Sequence, residues 1–170
     1  ESFATGPMDI YGLSKLTGEH LCNEFFLETD IPVVVCRFFN AFGPNETNPH
    51  LIPEIQQQVL EGKRVIKLGN LTPKRDFIHT YDMAAAVETL LTHVEGGIHT
   101  YNLGRGIEYS VTEIVDAFSK AINEKIEIEV DQTRVRKVER QHLLADVSKL
   151  KSLGWTPKIG IEDGIKTLVQ

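Results

Sequence analysis

The run Val33-Val34-Val35-Cys36-Arg37-Phe38-Phe39 restricts the fold more than any other stretch of these 170 residues. A near-continuous series of β-branched and aromatic side chains suits a strand of a parallel sheet, buried on both faces. The residues on either side supply candidate covers. Leu13–Glu28 places apolar side chains at 13, 16, 21, 25 and 26 without an internal proline, which is helical spacing, and Asp30-Ile31-Pro32 ends it. After the strand, Asn40–His50 reads as a loop punctuated by Gly43-Pro44 and Asn48-Pro49.

The same alternation continues to the end of the chain. Leu51–Gly62 reads as a helix with Pro53 near its start, and Val65–Leu68 as a short strand. Gly69–Lys74 is turn-rich, Phe77-Ile78-His79 is a brief extended piece, and Asp82–Val94 is an alanine-rich helix. Thr100–Leu103 is a strand ending in Gly104-Arg105-Gly106. The helix Val111–Asn123 opens on Ser110-Val111-Thr112-Glu113, the pattern of a capping box. Ile126–Val130 alternates like a half-exposed strand, Gln132–His142 is polar and basic, and Ser148–Leu153 and Ile161–Val169 are helical. Strand and helix in alternation predict an α/β fold.

Composition narrows the function classes. A hydrophobic content of 41% with 25% charged residues is that of a soluble globular domain, whole or part of a larger one. The formal charge of −6 argues against nucleic acid as a partner, while leaving room for one anionic small molecule held by local arginines. No apolar run approaches the ~20 residues of a membrane span and no signal peptide is visible. Cys22 and Cys36 lie in apolar surroundings and read as buried thiols of a reducing, cytoplasmic compartment. The six histidines show no ligand spacing, so no metal site is expected. The chain begins at Glu1, and its first recognisable element is already a helix, so a longer protein is expected around it.

Tyr11 and Lys15 stand four residues apart, just ahead of and into the first helix. That spacing puts a phenol and an ammonium on one helical face. A nearby cation favours the ionised phenol, whose unperturbed pKa is ~10, and so brings a tyrosine base closer to neutrality. Taken alone, such a pair is more often a solvated helix face. Asn40, with the Gly43-Pro44 turn behind it, follows the carboxyl end of the apolar strand, where ligands of open α/β sheets bind. Its amide can donate to a phosphate oxygen and accept from a sugar hydroxyl. Arg75 lies between a glycine loop and an apolar segment, and a guanidinium grips phosphate with two parallel bonds. Asp76 either braces that arginine or caps the next stretch. Arg134–Arg140 is a short basic tract that alone would be a solvated charge run.

In their order these segments resemble the extended short-chain dehydrogenase/reductase family of NAD-dependent nucleotide-sugar epimerases and dehydratases. The resemblance is carried by Tyr11-Gly12-Leu13-Ser14-Lys15 with Gly18-Glu19, Arg37-Phe38-Phe39-Asn40 with Phe42-Gly43-Pro44, and Leu51-Ile52-Pro53. It continues through Leu68-Gly69-Asn70, Arg75-Asp76-Phe77-Ile78-His79-Thr80-Tyr81-Asp82 and Tyr101-Asn102-Leu103-Gly104. It closes on Arg136 with Glu139, Ala145-Asp146 with Ser148-Lys149, and Leu153-Gly154-Trp155 with Pro157.

The resemblance implies that Tyr11 is the catalytic base and that Lys15 lowers its pKa and bonds the nicotinamide ribose of NAD. Phe39 would lie against the nicotinamide end. Asn40 would contact the substrate's diphosphate side, and His50 and Leu51 would line the nucleotide pocket. Arg75 and Arg136 would clamp diphosphate and ribose, with Glu139 on the ribose. The substrate implied is a nucleotide-diphosphate sugar, a UDP-sugar first among them. Gly12 and Gly18-Glu19 look more like UDP-glucose 4-epimerases, whereas Leu68-Gly69-Asn70-Leu71 with Lys74-Arg75-Asp76 is similar to 4,6-dehydratases.

The family's Gly-rich NAD-binding turn and its Ser/Thr upstream of the tyrosine have no counterpart here. What is resembled is the back half of the enzyme. Residues 1–45 would be the last part of a Rossmann-like parallel sheet, and 46–170 a small mixed α/β substrate-binding domain, with segment 65–103 free to return to the first sheet. Alone, such a chain would be inactive, or would bind a nucleotide sugar without turning it over. The apolar strand and first helix would be covered by an upstream half or in an oligomer, and relatives commonly form homodimers through the tyrosine-bearing helix.

Overall fold

The computed structural model describes residues 1–136 and 139–170; Lys137 and Val138, inside the basic tract, lie outside the described residues. In chain order the elements are α1 (Ile10–Thr29), β1 (Val33–Phe38), β2 (Asn40–Phe42), α2 (Leu51–Leu60), β3 (Val65–Leu68), β4 (Lys74–His79) and α3 (Thr80–His93). They continue as β5 (Ile98–Leu103), β6 (Glu108–Ser110), α4 (Val111–Ile122), β7 (Glu127–Val130), β8 (His142–Leu143), α5 (Ser148–Lys151) and α6 (Ile161–Lys166). A 3-10 turn covers Gln132–Arg134. β1 pairs with β5, β2 with β4, β3 with β7 and β8 with β4 in parallel, whereas β6 runs antiparallel to β4. Parallel pairing with intervening helices makes the chain α/β, as expected.

Two clusters of buried side chains hold these ladders. The larger joins Phe42, Ile55, Ile66, Phe77, Phe118 and Ile165, so it lies among α2, α4, α6 and the strands β2 to β4. α4 shows why this sequence makes this helix. Val111, Ile114, Val115 and Phe118 recur at helical spacing and all are buried, each contributing roughly 1.5–3 kcal/mol. Its capping box is complete. Ser110 Oγ accepts from the Glu113 N–H at 3.3 Å, and the Glu113 carboxylate accepts from the Ser110 N–H at 2.7 Å. The smaller cluster packs Ala86 and Leu90 of α3 on Tyr101 and Leu103 of β5, with Leu150 and Trp155 behind and Val34 and Cys36 of β1 at its margin.

β1 departs from the two-sided burial expected of it. Its first five residues are half-buried and Phe38 is exposed. Among the described residues it has a strand neighbour on one edge only, β5, and α1 covers it loosely. None of the 20 residues of α1 is buried. Ile10, Leu21 and Leu27 stand more than half exposed, at 87%, 65% and 67%. The main tie between the two elements is polar: Arg37 Nε and Nη2 donate to the two Glu19 carboxylate oxygens at 2.8 and 2.7 Å. For the same reason Cys22 and Cys36 are half-buried thiols, not the buried ones expected. No helix among the described residues is long and apolar enough to cross a membrane.

Candidate active site

α1 begins earlier than its apolar spacing predicts, at Ile10, because Asp9 caps it. The Asp9 carboxylate accepts the Gly12 N–H at 2.7 Å. Tyr11 therefore lies within the first helical turn, and Lys15 lies one turn further along the same face. The Lys15 ammonium sits over the Tyr11 ring, 5.1 Å from its centroid. Tyr11 is 70% exposed, so the pair is open to solvent.

Phe39 and Asn40 follow at the carboxyl end of β1. The Phe39 N–H donates to the Leu103 carbonyl at 3.0 Å, which extends the β1–β5 pairing by one residue. Asn40 opens β2 opposite Phe77, so residues 40–42 are a strand and not the loop expected of them. The cause is tertiary: β4 offers a partner 37 positions on in the chain, by the register Asn40 to Phe77. Half-buried Phe39 and exposed Asn40 thus stand where the chain passes from one ladder to the next.

Arg75 and Glu139 meet. Arg75 Nη2 lies 3.1 Å from Glu139 Oε1, with side-chain exposures of 18% and 17%, and Nη1 donates to the Lys74 carbonyl at 2.8 Å. Arg136 is exposed, and its backbone is bonded twice by Asn70. Arg140 Nη2 donates to the Met8 sulfur at 3.0 Å. That contact brings the segment holding Glu139 to the residue before the α1 cap, and so toward Tyr11. His50 lies elsewhere, at the N-cap of α2. It is exposed and forms no side-chain cap bond. Leu51, beside it, packs against the larger core. A concavity of about 720 Å³ runs along α2, lined by Asn48, Pro49, Pro53, Gln57 and Glu61 among others, but Tyr11, Arg75 and Arg136 do not line it. Tyr11, Lys15, Asn40 and Arg136 are exposed, whereas Arg75 and Glu139 are half-buried.

Asp76, Asp82 and His79 are buried polar groups whose role the sequence did not disclose. Asp76 neither braces Arg75 nor caps the next stretch. Its fully buried carboxylate accepts from the N–H groups of Arg105 and Gly106 at 2.7 Å each, and of Ala145 at 3.2 Å. Burial pushes this carboxyl above its ordinary 3.8, against the pull of those donors and the Arg105 charge. Gly104 permits the approach, since a Cβ there would lie 2.5 Å from that of Ala145. The glycines at 104 and 106 were the available signal. Asp82 similarly accepts from Ile159 N–H at 2.8 Å and from Lys158 N–H at 3.0 Å. His79 is 1% exposed, and its Nδ1 accepts the Tyr81 N–H at 3.2 Å. Its ring is T-shaped against Phe42.

Residues 1–168 match the family model described as GDP-mannose 4,6 dehydratase. The chain belongs to this family. A putative GDP-L-fucose synthase 2 of Arabidopsis thaliana is 30% identical over 174 residues, covering 95% of this chain and 52% of the relative. Among solved structures, RMD from Pseudomonas aeruginosa complexed with NADPH superposes with a TM-score of 0.89 at 26% identity, covering 99% of this chain and 58% of that one. UDP-glucose 4-epimerase from Bifidobacterium longum, in complex with NAD+ and UDP, superposes with a TM-score of 0.87 at 26% identity, covering 99% and 56%. This GDP-mannose 4,6 dehydratase family member is of the extended short-chain dehydrogenase/reductase type, and its relatives include proteins described as a GDP-6-deoxy-D-mannose reductase, a putative UDP-glucose 4-epimerase and a dTDP-D-glucose 4,6-dehydratase. It spans about half the length of the relatives it matches.

Proposed function

We propose that this chain supplies the acid–base pair and the nucleotide-sugar grip of an NAD-dependent 4-epimerase. One observation carries this reading: the Arg140–Met8 contact ties the segment that holds Glu139, the partner of Arg75, to the residue before the cap of the helix that carries the Tyr11–Lys15 stack. A phenol and two arginine-bearing segments then serve one ligand. Residues 1–45 would belong with the cofactor and 46–170 with the substrate.

The residues present suit a dinucleotide's ribose and nicotinamide. Tyr11 and Lys15 are exposed on one helix face, and Phe39 follows the last residue of β1, the next strand in the chain. Lys15 would bond the ribose and Phe39 would lie against the nicotinamide. NAD, held there by Tyr11, Lys15 and Phe39, would supply reversible hydride chemistry for the sugar's C4. Tyr11 Oη takes the proton of the C4 hydroxyl as the carbonyl forms, and gives one back when the carbonyl is reduced from its other face. Arg75 and Arg136 bind the diphosphate, Glu139 the ribose of the nucleotide, and Asn40 the diphosphate side. His50 and Leu51 belong to the wall of the nucleotide pocket. Most of the binding energy then comes from groups remote from C4.

A 4,6-dehydratase is the second reading, favoured by the description of the matching family model. Both would proceed through a 4-keto sugar. The whole polypeptide carrying these residues should be incubated with UDP-, GDP- and dTDP-sugars and NAD, with products read by NMR. The C4 epimer supports the first reading and a 4-keto-6-deoxy sugar the second. Binding without either product would leave a nucleotide-sugar-binding protein. A homodimer through α1 would cover the exposed Ile10, Leu21 and Leu27, and sedimentation at varied concentration tests it.

A further inference from the structure

Asn70 stands in the Leu68-Gly69-Asn70 motif, and neither the acid–base pair nor the diphosphate grip makes use of it. Its carboxamide does something specific. Oδ1 accepts the Arg136 N–H at 2.7 Å, and Nδ2 donates to the Arg136 carbonyl at 3.2 Å. Donor and acceptor of one planar amide thus engage donor and acceptor of one backbone residue, as a neighbouring strand would. Two bonds of this kind fix both the position and the orientation of residue 136, where a single bond would leave it free to swing.

Gly69 acts on the same segment from one residue away. A Cβ at 69 would lie 2.5 Å from the Arg134 carbonyl oxygen and 2.9 Å from its carbon, so only glycine lets the two backbones approach this closely. The Arg134 side chain is engaged elsewhere, with Glu54 and with Asp131 at 3.3 Å. Among the described residues no carboxylate pairs with Arg136. The clamp therefore holds a segment in which one guanidinium is committed to the protein and the other, two residues on, is exposed.

We infer that Asn70 is a positioning residue for Arg136, its side-chain amide fixing the backbone from which that guanidinium is presented to the diphosphate of a nucleotide sugar. This rests on the role proposed above for Arg136. Ordering the segment before the ligand arrives removes an entropic cost from binding. The loss on removing the clamp should fall on KM rather than on kcat, because Tyr11 and Lys15 ride on a different element.

Calorimetry with UDP and with GDP tests it, on the whole polypeptide as wild type, Asn70→Ala, Arg136→Ala and the double variant. Asn70→Ala should weaken binding of the nucleotide that the wild type accepts by about 5- to 30-fold. The double variant should bind no more weakly than Arg136→Ala alone, since Asn70 acts through that side chain. Should Asn70→Ala not fold, Asn70→Asp retains the shorter bond and loses the donor, and should bind less tightly than wild type. Wild-type affinity in the Asn70 variants, alongside a weakened Arg136→Ala, would overturn the inference, as would additive losses in the double variant. Wild type binding neither nucleotide, or an Arg136→Ala variant binding normally, would instead overturn the role of Arg136 itself.

Discussion

Arg75 and Glu139 are 64 positions apart in the chain, yet their charged ends lie 3.1 Å apart with less than a fifth of either side chain exposed. Neither charge is well hydrated, so each depends on the other. Removing one leaves its partner poorly solvated and alone. Arg75→Ala should therefore lower stability by about 1–3 kcal/mol, or several degrees in thermal midpoint for a domain of this size. It should also weaken UDP or GDP binding about tenfold or more. Glu139→Gln keeps an oxygen for the guanidinium and should cost less. Differential scanning calorimetry beside binding calorimetry checks both. An Arg75→Ala protein with an unchanged midpoint would show the pair to be a surface contact of no consequence.

Tyr11→Phe removes one oxygen from an exposed side chain, so packing should not suffer. Because that oxygen is assigned the proton transfer, turnover of the nucleotide sugar should fall by about 10²- to 10⁴-fold. Nucleotide affinity should stay near wild type, since Arg75 and Arg136 lie on other elements. The two readouts together separate a catalytic loss from a misfolded protein.

How much of this was readable beforehand divides along sequence distance. α4 announced itself fully, because its apolar period and its capping box lie within one short window. The Tyr11–Lys15 face was equally local. Asn40–Phe42 was not readable, because three residues become a strand only when β4 pairs with them. The meeting of Arg75 with Glu139 is invisible in the sequence for the same reason: each residue stands in a recognisable segment, but their contact belongs to the tertiary fold. Asp76 was misread altogether, since its donors come from 29, 30 and 69 positions away. The burial of β1 was overestimated because its composition describes the sheet it suits, while its exposure depends on which neighbours are present.

Asp76 accepts the backbone N–H groups of Arg105, Gly106 and Ala145. Asp76→Ala would bury those donors unpaired, each worth ~1 kcal/mol or more. The expected loss is about 3 kcal/mol, with a midpoint lower by roughly 6–12 °C. Asp76→Asn keeps one acceptor oxygen but turns an NH₂ toward the remaining donors, so it should fall between the two. Hydrogen exchange at Arg105, Gly106 and Ala145 should accelerate in both variants. Protection kept at those amides would mean that the carboxylate is not what holds them.

His79 sets a pH dependence of definite sign. Burial holds its imidazole below the ordinary 6.5, with the Asp82 carboxylate pulling weakly the other way. The native state therefore resists a proton that the unfolded chain accepts, so the unfolded state binds more protons through this window. The stability due to neutral His79 is complete above 6.5 and is lost as pH falls from 6.5 through the lower folded value. Asp76 opposes it. Its raised carboxyl takes up a proton first in the native state, so its contribution declines as pH rises from 3.8 through its folded value. A bare acid titration would mix the two, so the comparison has to be with His79→Asn, which keeps a capping acceptor for α3 but no titrating ring. That variant should be less stable at neutral pH, by about 1–3 kcal/mol, for want of the packing on Phe42. Its thermal midpoint should nevertheless fall less steeply than the wild type's as pH is lowered below 6.5. Parallel profiles for the two proteins would mean that the proton goes elsewhere and that burial of this ring carries no pH-dependent stability.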